Sequence, residues 1–267
     1  MHKKYFFFDI DGTLTDDATH KIVPSARYAL KKLEESGHFV SIATGRSHYK
    51  TVAFTDPLGF ENIVCCGGAC LVLHGRVIEN RPLDMAAAKH ILHCADENKL
   101  GWLLSLADTD EVDFRDFRFL EQAGFRKELT TYRYDPDLDI DQLSEVFKIY
   151  LAVTPDQENE FSWVHTHPYL RMTRDYVVYQ HDEKKEGILR MIHAIHGKRS
   201  DVVVFGDGKN DLVMFDPQWT SIAMGNGSEA LKEKADYVTA DNLDDGILKA
   251  CRHFGWIDPS IDDDFRL

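Results

Sequence analysis

An apolar run ending in two acids, two positions apart, constrains this chain more than any other feature. Tyr5-Phe6-Phe7-Phe8 leads into Asp9-Ile10-Asp11-Gly12-Thr13. Aromatic residues suit a buried strand, and alternate side chains on a strand share a face, so Asp9 and Asp11 are expected to project the same way at its carboxyl end. Gly12 then stops the strand. Two carboxylates at a sheet's end repel each other and lose hydration unless a cation or a shared proton offsets the repulsion. From this stretch alone a metal site and a solvated Asp-Gly turn read equally well. The choice falls to the residues downstream.

Pro24 opens an amphipathic segment with Ala26, Ala29, Leu30 and Leu33 on one face, and Gly37 follows its end. Phe39 to Ala43 is a short strand that runs into Thr44-Gly45-Arg46. Strand, helix and strand at this length imply a parallel pair, which places Thr44 at the same sheet edge as Asp9 and Asp11. A further strand, Ile63 to Cys66, leads to a hairpin through His74-Gly75-Arg76.

From 81 to 180 the pattern changes to that of an inserted α+β module, with helices and antiparallel strands in runs. Met85, Ala88, Leu92 and Ala95 line one helix, and strands are expected at Trp102–Leu106, Phe147–Val153, Leu170–Thr173 and Tyr176–Tyr179. Thr154-Pro155-Asp156-Gln157 has the form of a capping box. Alternation resumes at Lys184 with a helix marked by Ile188, Ile192 and Ile195. The strand Val202–Phe205 follows, ending in Gly206-Asp207-Gly208-Lys209-Asn210-Asp211. Short strands are expected near Ser221 and Tyr237, then a helix face of Leu243, Ile247, Cys251 and Phe254, then an acidic, mobile tail from Asp258. The fold class expected is α/β, a doubly wound parallel Rossmann-like core over 1–80 and 181–267, with the α+β insertion as a second domain. A length of 267 residues suits two such domains.

Lys and Arg total 31 against 45 Asp and Glu, a formal charge of −14, which argues against nucleic acid and anionic membranes as partners. A small anionic substrate stays compatible if a metal, a lysine and backbone amides make a local positive site. No apolar run approaches a membrane span, and the aromatic run after Lys3-Lys4 is too short for a signal peptide, so a cytoplasmic protein is expected. The cysteines, Cys65, Cys66, Cys70, Cys94 and Cys251, are odd in number and read as reduced. Cys66, Cys70 and His74 have tempting zinc spacing, but no CxxC pair supports it, and the thiols read as small buried hydrophobes.

Four strand-end motifs together make the solvated-turn reading of each improbable, and with them the chain resembles the haloacid-dehalogenase superfamily, in particular its Cof-like phosphatases. The motifs are Asp9-Ile10-Asp11-Gly12-Thr13-Leu14, Ile42-Ala43-Thr44-Gly45-Arg46, Lys184, and Gly206-Asp207-Gly208-Lys209-Asn210-Asp211. Ala223-Met224-Gly225-Asn226-Gly227 also resembles the family's carboxyl-terminal pattern. The resemblance implies a Mg²⁺-dependent phosphatase whose inserted cap covers the site and selects a small phosphorylated metabolite, sugar phosphates first. It implies that Asp9 is the nucleophile, forming an aspartyl-phosphate, and that Asp11 is the general acid and base. Metal ligands would be the Asp9 and Asp207 carboxylates and the Asp11 carbonyl, with Asp211 as a support or a further ligand. Gly12, Thr44, Gly45, Arg46, Lys184 and Asn210 would line the phosphate. Spacing to Gly187-Ile188 favours Lys184 over Lys185. The alternatives are a phosphomutase or phosphotransferase of the same superfamily, which also keeps both acids, and a non-catalytic sugar-phosphate-binding regulator. A monomer or weak homo-oligomer is expected.

Arg46 reads equally as a substrate contact and as a surface ion pair. His165-Thr166-His167 is expected to put two imidazoles on one solvated strand face, and Asp108-Thr109-Asp110-Glu111 to form a solvated loop.

Overall fold

The computed structural model describes residues 2–258, so of the acidic tail only Asp258 falls within it. Two compact units divide the chain, Met1–Asn80 with Asp182–Leu267, and Arg81–His181.

The first unit is built on an eight-stranded sheet. From edge to edge its strands are Tyr237–Val238, Thr220–Ala223, Val202–Gly206, Tyr5–Phe8, Phe39–Ala43, Ile63–Cys65, Cys70–Leu73 and Arg76–Asn80. The first six run parallel, Cys70–Leu73 runs against them, and Arg76–Asn80 pairs antiparallel with Cys70–Leu73. Parallel strands are buried on both faces, which explains the unbroken aromatic run of the central strand. Phe6 and Phe8 pack on one side with Ala29 and Leu30 of helix Pro24–Glu35 and with Ile247 and Cys251 of helix Gly246–His253. Phe7 packs on the other with Ile188, Met191 and Ile192 of helix Lys184–Ala194. The sheet is therefore wound on both faces, and strand order reverses between Tyr5–Phe8 and Val202–Gly206. Loops at the carboxyl ends diverge at such a reversal and leave a crevice.

The last helix is shorter than expected. Leu243 lies in a preceding 3₁₀ turn, 61% exposed, because Asp245 at φ 59° breaks the helical path, and Phe254 follows the last helical residue.

In the second unit the sheet order is Leu170–Arg171, Tyr176–Tyr179, Lys148–Ala152, Trp102–Ser105, Glu111–Phe114 and Thr131–Tyr134. The expectation of antiparallel strands alone is corrected here. Glu111 leaves the expected loop to begin a strand, and that strand pairs parallel with Thr131–Tyr134 after the short helix Arg118–Ala123. Asp84 caps helix Met85–Glu97 by accepting from the Ala87 amide at 2.8 Å. Both bonds of the Thr154–Gln157 capping box form. His165 and His167 do not share a strand face. Ser162–Thr166 is a 3₁₀ turn, and His165 Nδ1 lies 3.0 Å from the Tyr169 hydroxyl. No helix among the described residues is long and apolar enough to cross a membrane.

Candidate active site

Three neighbouring parallel strands deliver the acidic and hydroxyl groups to one edge of the first unit. Phe8 is in register with Phe205 on one side and Ile42 on the other. Asp9, Asp207 and Thr44 each follow the last residue of their strand, so fixed register alone brings them together. The Asp9 amide donates to Phe205 O at 3.0 Å, continuing the ladder by one residue.

Asp9 is buried, and its Oδ1 accepts from Lys184 Nζ at 2.7 Å. The same ammonium donates to Asp211 Oδ1 at 2.6 Å. The other Asp211 oxygen accepts from the amides of Asp207 and Gly208 at 3.1 and 3.0 Å. Asp211 thus ties the lysine to the loop that carries Asp207. Lys185 points elsewhere, pairing with Asp216 at 2.6 Å. Thr13 donates through Oγ1 to Asp207 Oδ1 at 2.9 Å.

Side-chain oxygens of Asp9, Asp207 and Asp211 lie within 4.8 Å of one another. One lysine faces these three acids, and the electrostatics follow. Burial, together with the charge of Asp211, holds the Asp9 carboxyl up at about 8 against the pull of Lys184. Burial likewise raises Asp207 to about 6, although its bond from Thr13 acts the other way. Burial also works against the Lys184 charge, but Asp9 and Asp211 outweigh it and raise the lysine above its ordinary value. An all-oxygen donor set short of positive charge fits a hard divalent cation such as Mg²⁺.

Gly12 occupies the left-handed region at φ 77°, and a Cβ there would stand 2.3 Å from Asp207 Oδ2. Gly12→Ala should therefore displace Asp207 or the loop, cost about 1–3 kcal/mol of stability, and weaken metal binding. Thermal unfolding with and without Mg²⁺ checks this, since the metal should stabilise the variant less than the parent.

Asp11 is 55% exposed and grips Arg46 with both carboxylate oxygens, Oδ2 accepting from Nε at 2.9 Å and Oδ1 from Nη2. The partner of Arg46 here is the second acid of the motif. The Thr44 hydroxyl, buried, accepts from the Arg46 amide at 3.2 Å. Gly45 has open space around it, and exposed Asn210 donates through Nδ2 to Asp211 Oδ1 at 3.5 Å.

Two further residues brace the first loop. Asn226 donates to Gly12 O at 2.8 Å and accepts from the Asn242 amide at 3.0 Å, while Asn242 donates to Thr15 O at 2.7 Å. Asn226 lies in the Ala223–Gly227 stretch that resembles the family's carboxyl-terminal pattern, though that resemblance assigned it no partner. Asn242 carried no sequence signal.

Residues 6–251 match the haloacid dehalogenase-like hydrolase family. The chain is 34% identical to YkrA of Bacillus subtilis (strain 168) over 262 residues, covering 96% of this chain and 99% of that protein. It is 25% identical to the pyridoxal phosphate phosphatase YbhA of Escherichia coli (strain K12), covering 93% and 97%. The structure of the subclass IIB sugar phosphatase BT4131 superposes with a TM-score of 0.74 at 25% identity, covering 96% of this chain and all of that one. With nearly its whole length matched, the chain belongs to the haloacid dehalogenase-like hydrolases.

Proposed function

We propose that this phosphate-monoester hydrolase is a Mg²⁺-dependent phosphatase of small phosphorylated metabolites that works through an aspartyl-phosphate on Asp9. One observation carries the reading: a buried carboxylate braced by a buried lysine, beside a second carboxylate and within the loop that carries an exposed acid. A phosphate ester resists nucleophiles while its own charge is unshielded, and an ammonium and oriented donors reduce that barrier. Mg²⁺ would be held by the Asp9 and Asp207 carboxylates and the Asp11 carbonyl, and when bound it supplies the positive charge this cluster lacks. Both Asp211 oxygens are already occupied by Lys184 and two amides, which supports a bracing role for it.

Lys184 engages Asp9 Oδ1, so Oδ2 attacks phosphorus as the ester P–O bond breaks. Asp11 gives its proton to the leaving alkoxide. As a carboxylate it then takes a proton from water, whose oxygen attacks the phosphorus and returns Asp9 with release of inorganic phosphate. The Thr44 hydroxyl, the Gly45 amide, Gly12 and Asn210 line the phosphate in this reading. Arg46 fills both oxygens of Asp11, so the pair must open before Asp11 handles a proton. A phosphate offers the guanidinium an equivalent bidentate partner, and substrate binding thereby releases Asp11.

Sugar phosphates are the first substrate class, by similarity to a sugar phosphatase, and pyridoxal 5′-phosphate is the second, by similarity to YbhA. Residues 81–181 are the substrate-selecting unit in this reading. Phosphate release from a panel of sugar phosphates, pyridoxal 5′-phosphate and nucleotides, with Mg²⁺ or EDTA, tests it. Release should vanish with EDTA, return with Mg²⁺, and be fastest on a sugar phosphate. EDTA-resistant release would remove the metal from the reading, and preference for pyridoxal phosphate would replace the substrate.

A further inference from the structure

The unused chemistry of the first unit is a group of three thiols. Cys65 ends strand Ile63–Cys65 and faces Cys70, its register partner on the next strand. Neighbouring residues of a strand point to opposite faces, so Cys66 would ordinarily turn away from them. Instead it adopts φ 53°, a left-handed conformation costly for a residue with a Cβ, and its sulfur joins the other two. All three Sγ atoms lie within 4.8 Å of one another. Cys65 and Cys70 are wholly buried in the apolar core, while Cys66 is half-buried and gives access. His74, whose spacing to Cys66 and Cys70 was set aside as a zinc signal, does not join the group. Packing needs small apolar side chains at 65 and 70, but it does not require a third sulfur brought in by an unfavourable backbone.

We propose that Cys65, Cys66 and Cys70 form a three-thiol site for a trivalent thiophilic centre, with arsenic(III) as the ligand class. Three sulfurs on one centre with bonds of about 2.3 Å sit roughly 4 Å apart or closer, within reach by side-chain rotation. Zinc favours four ligands, and among the described residues no histidine or carboxylate completes this group. Three thiolates around Zn²⁺ or Cu⁺ would also leave net negative charge in an apolar core, which is costly. Arsenous acid avoids that charge. As(OH)₃ condenses with three thiols to form three As–S bonds, each displaced hydroxide leaving as water with a thiol proton, and the product is neutral. Hydrogen bonds with Cys66 and Cys70, and then burial, push the Cys65 thiol far above its ordinary range, consistent with a group that keeps its protons until it condenses.

The same turn touches the candidate active site. The Cys66 amide donates to Arg46 O at 2.8 Å, the Gly67 amide to Thr44 O at 3.3 Å, and Gly67 O accepts from the Glu183 amide at 2.7 Å. A centre that clamps the thiols also clamps the loop of Thr44 and the start of the Lys184 helix.

The test is intact-mass spectrometry of the reduced protein after incubation with arsenite, together with a count of thiols left reactive after unfolding. The parent should gain one arsenic less three hydrogens and protect three thiols, as should Cys94→Ser. Cys66→Ser and Cys70→Ser, each verified as folded by thermal unfolding, should lose this adduct. An unmodified parent, an adduct retained in both variants, or preferential uptake of Zn²⁺ or Cu⁺ overturns the site. Phosphate release should fall in step with the adduct in the parent. That arm alone rests on the proposed phosphatase activity, and an adduct without inhibition overturns the coupling while the mass result stands by itself.

Discussion

Asp9→Asn should lower phosphate release at least about 1,000-fold in kcat and leave no phosphorylated protein to trap, while the chain still folds. An amide is a poor nucleophile, yet asparagine keeps the shape of the side chain and leaves Lys184 its bond to Asp211. Stability should separate this loss from unfolding. In the metal-free protein burial holds the Asp9 carboxyl up at about 8, so the fold retains a proton that the unfolded chain releases near about 3.9. Between those values the folded state binds more protons, and stability falls as pH rises. Asparagine resembles the protonated acid and removes that contribution. Unfolding midpoints in EDTA at pH 5 and pH 8 should therefore drop less for Asp9→Asn than for the parent. Retained phosphate release in the variant would remove Asp9 as the nucleophile.

Local rules made the acid-bearing loops legible, because each motif follows a strand whose apolar run is unmistakable. Parallel register then carries Asp9, Thr44 and Asp207 to one edge without further information. The Thr154 capping box was legible for the same reason, since both of its bonds span three residues. What was missed depends on distant partners. Glu111–Phe114 and Thr131–Tyr134 are short, polar in part, and defined by pairing with each other across a helix. His165 follows a turn stabilised by Tyr169 and Glu158 rather than a strand. Asn242 reaches Thr15 across 227 positions, and no spacing rule anticipates that bond. The third thiol was missed because strand periodicity places residues 65 and 66 on opposite faces, and one left-handed residue reverses that placement.

Lys184→Met should be the most destabilising single change at the site, at roughly 3–5 kcal/mol in metal-free protein, and should also remove activity. The ammonium is 1% exposed and is the shared partner of Asp9 and Asp211, themselves 5% and 0% exposed. Methionine fills similar space without charge, so the cost arises from the buried Asp211 carboxylate, joined by Asp9 as it ionises, left without a counter-charge beside Asp207. Lys185→Ala gives the contrast. Its pair with Asp216 lies at 32% and 11% exposure, and losing such a bridge costs up to about 1 kcal/mol. Denaturant unfolding of both variants, without and with Mg²⁺, measures the difference. Mg²⁺ should restore part of the lost stability to Lys184→Met, because a divalent cation shields the same carboxylates, but it should not restore turnover, since a cation held by Asp9 and Asp207 does not replace the donor on Asp9 Oδ1. Equal stability losses in the two variants would mean that the buried bridge contributes no more than the surface one. Full recovery of turnover by Mg²⁺ would reduce Lys184 to a counter-charge for the acids, with no part in aligning the nucleophile.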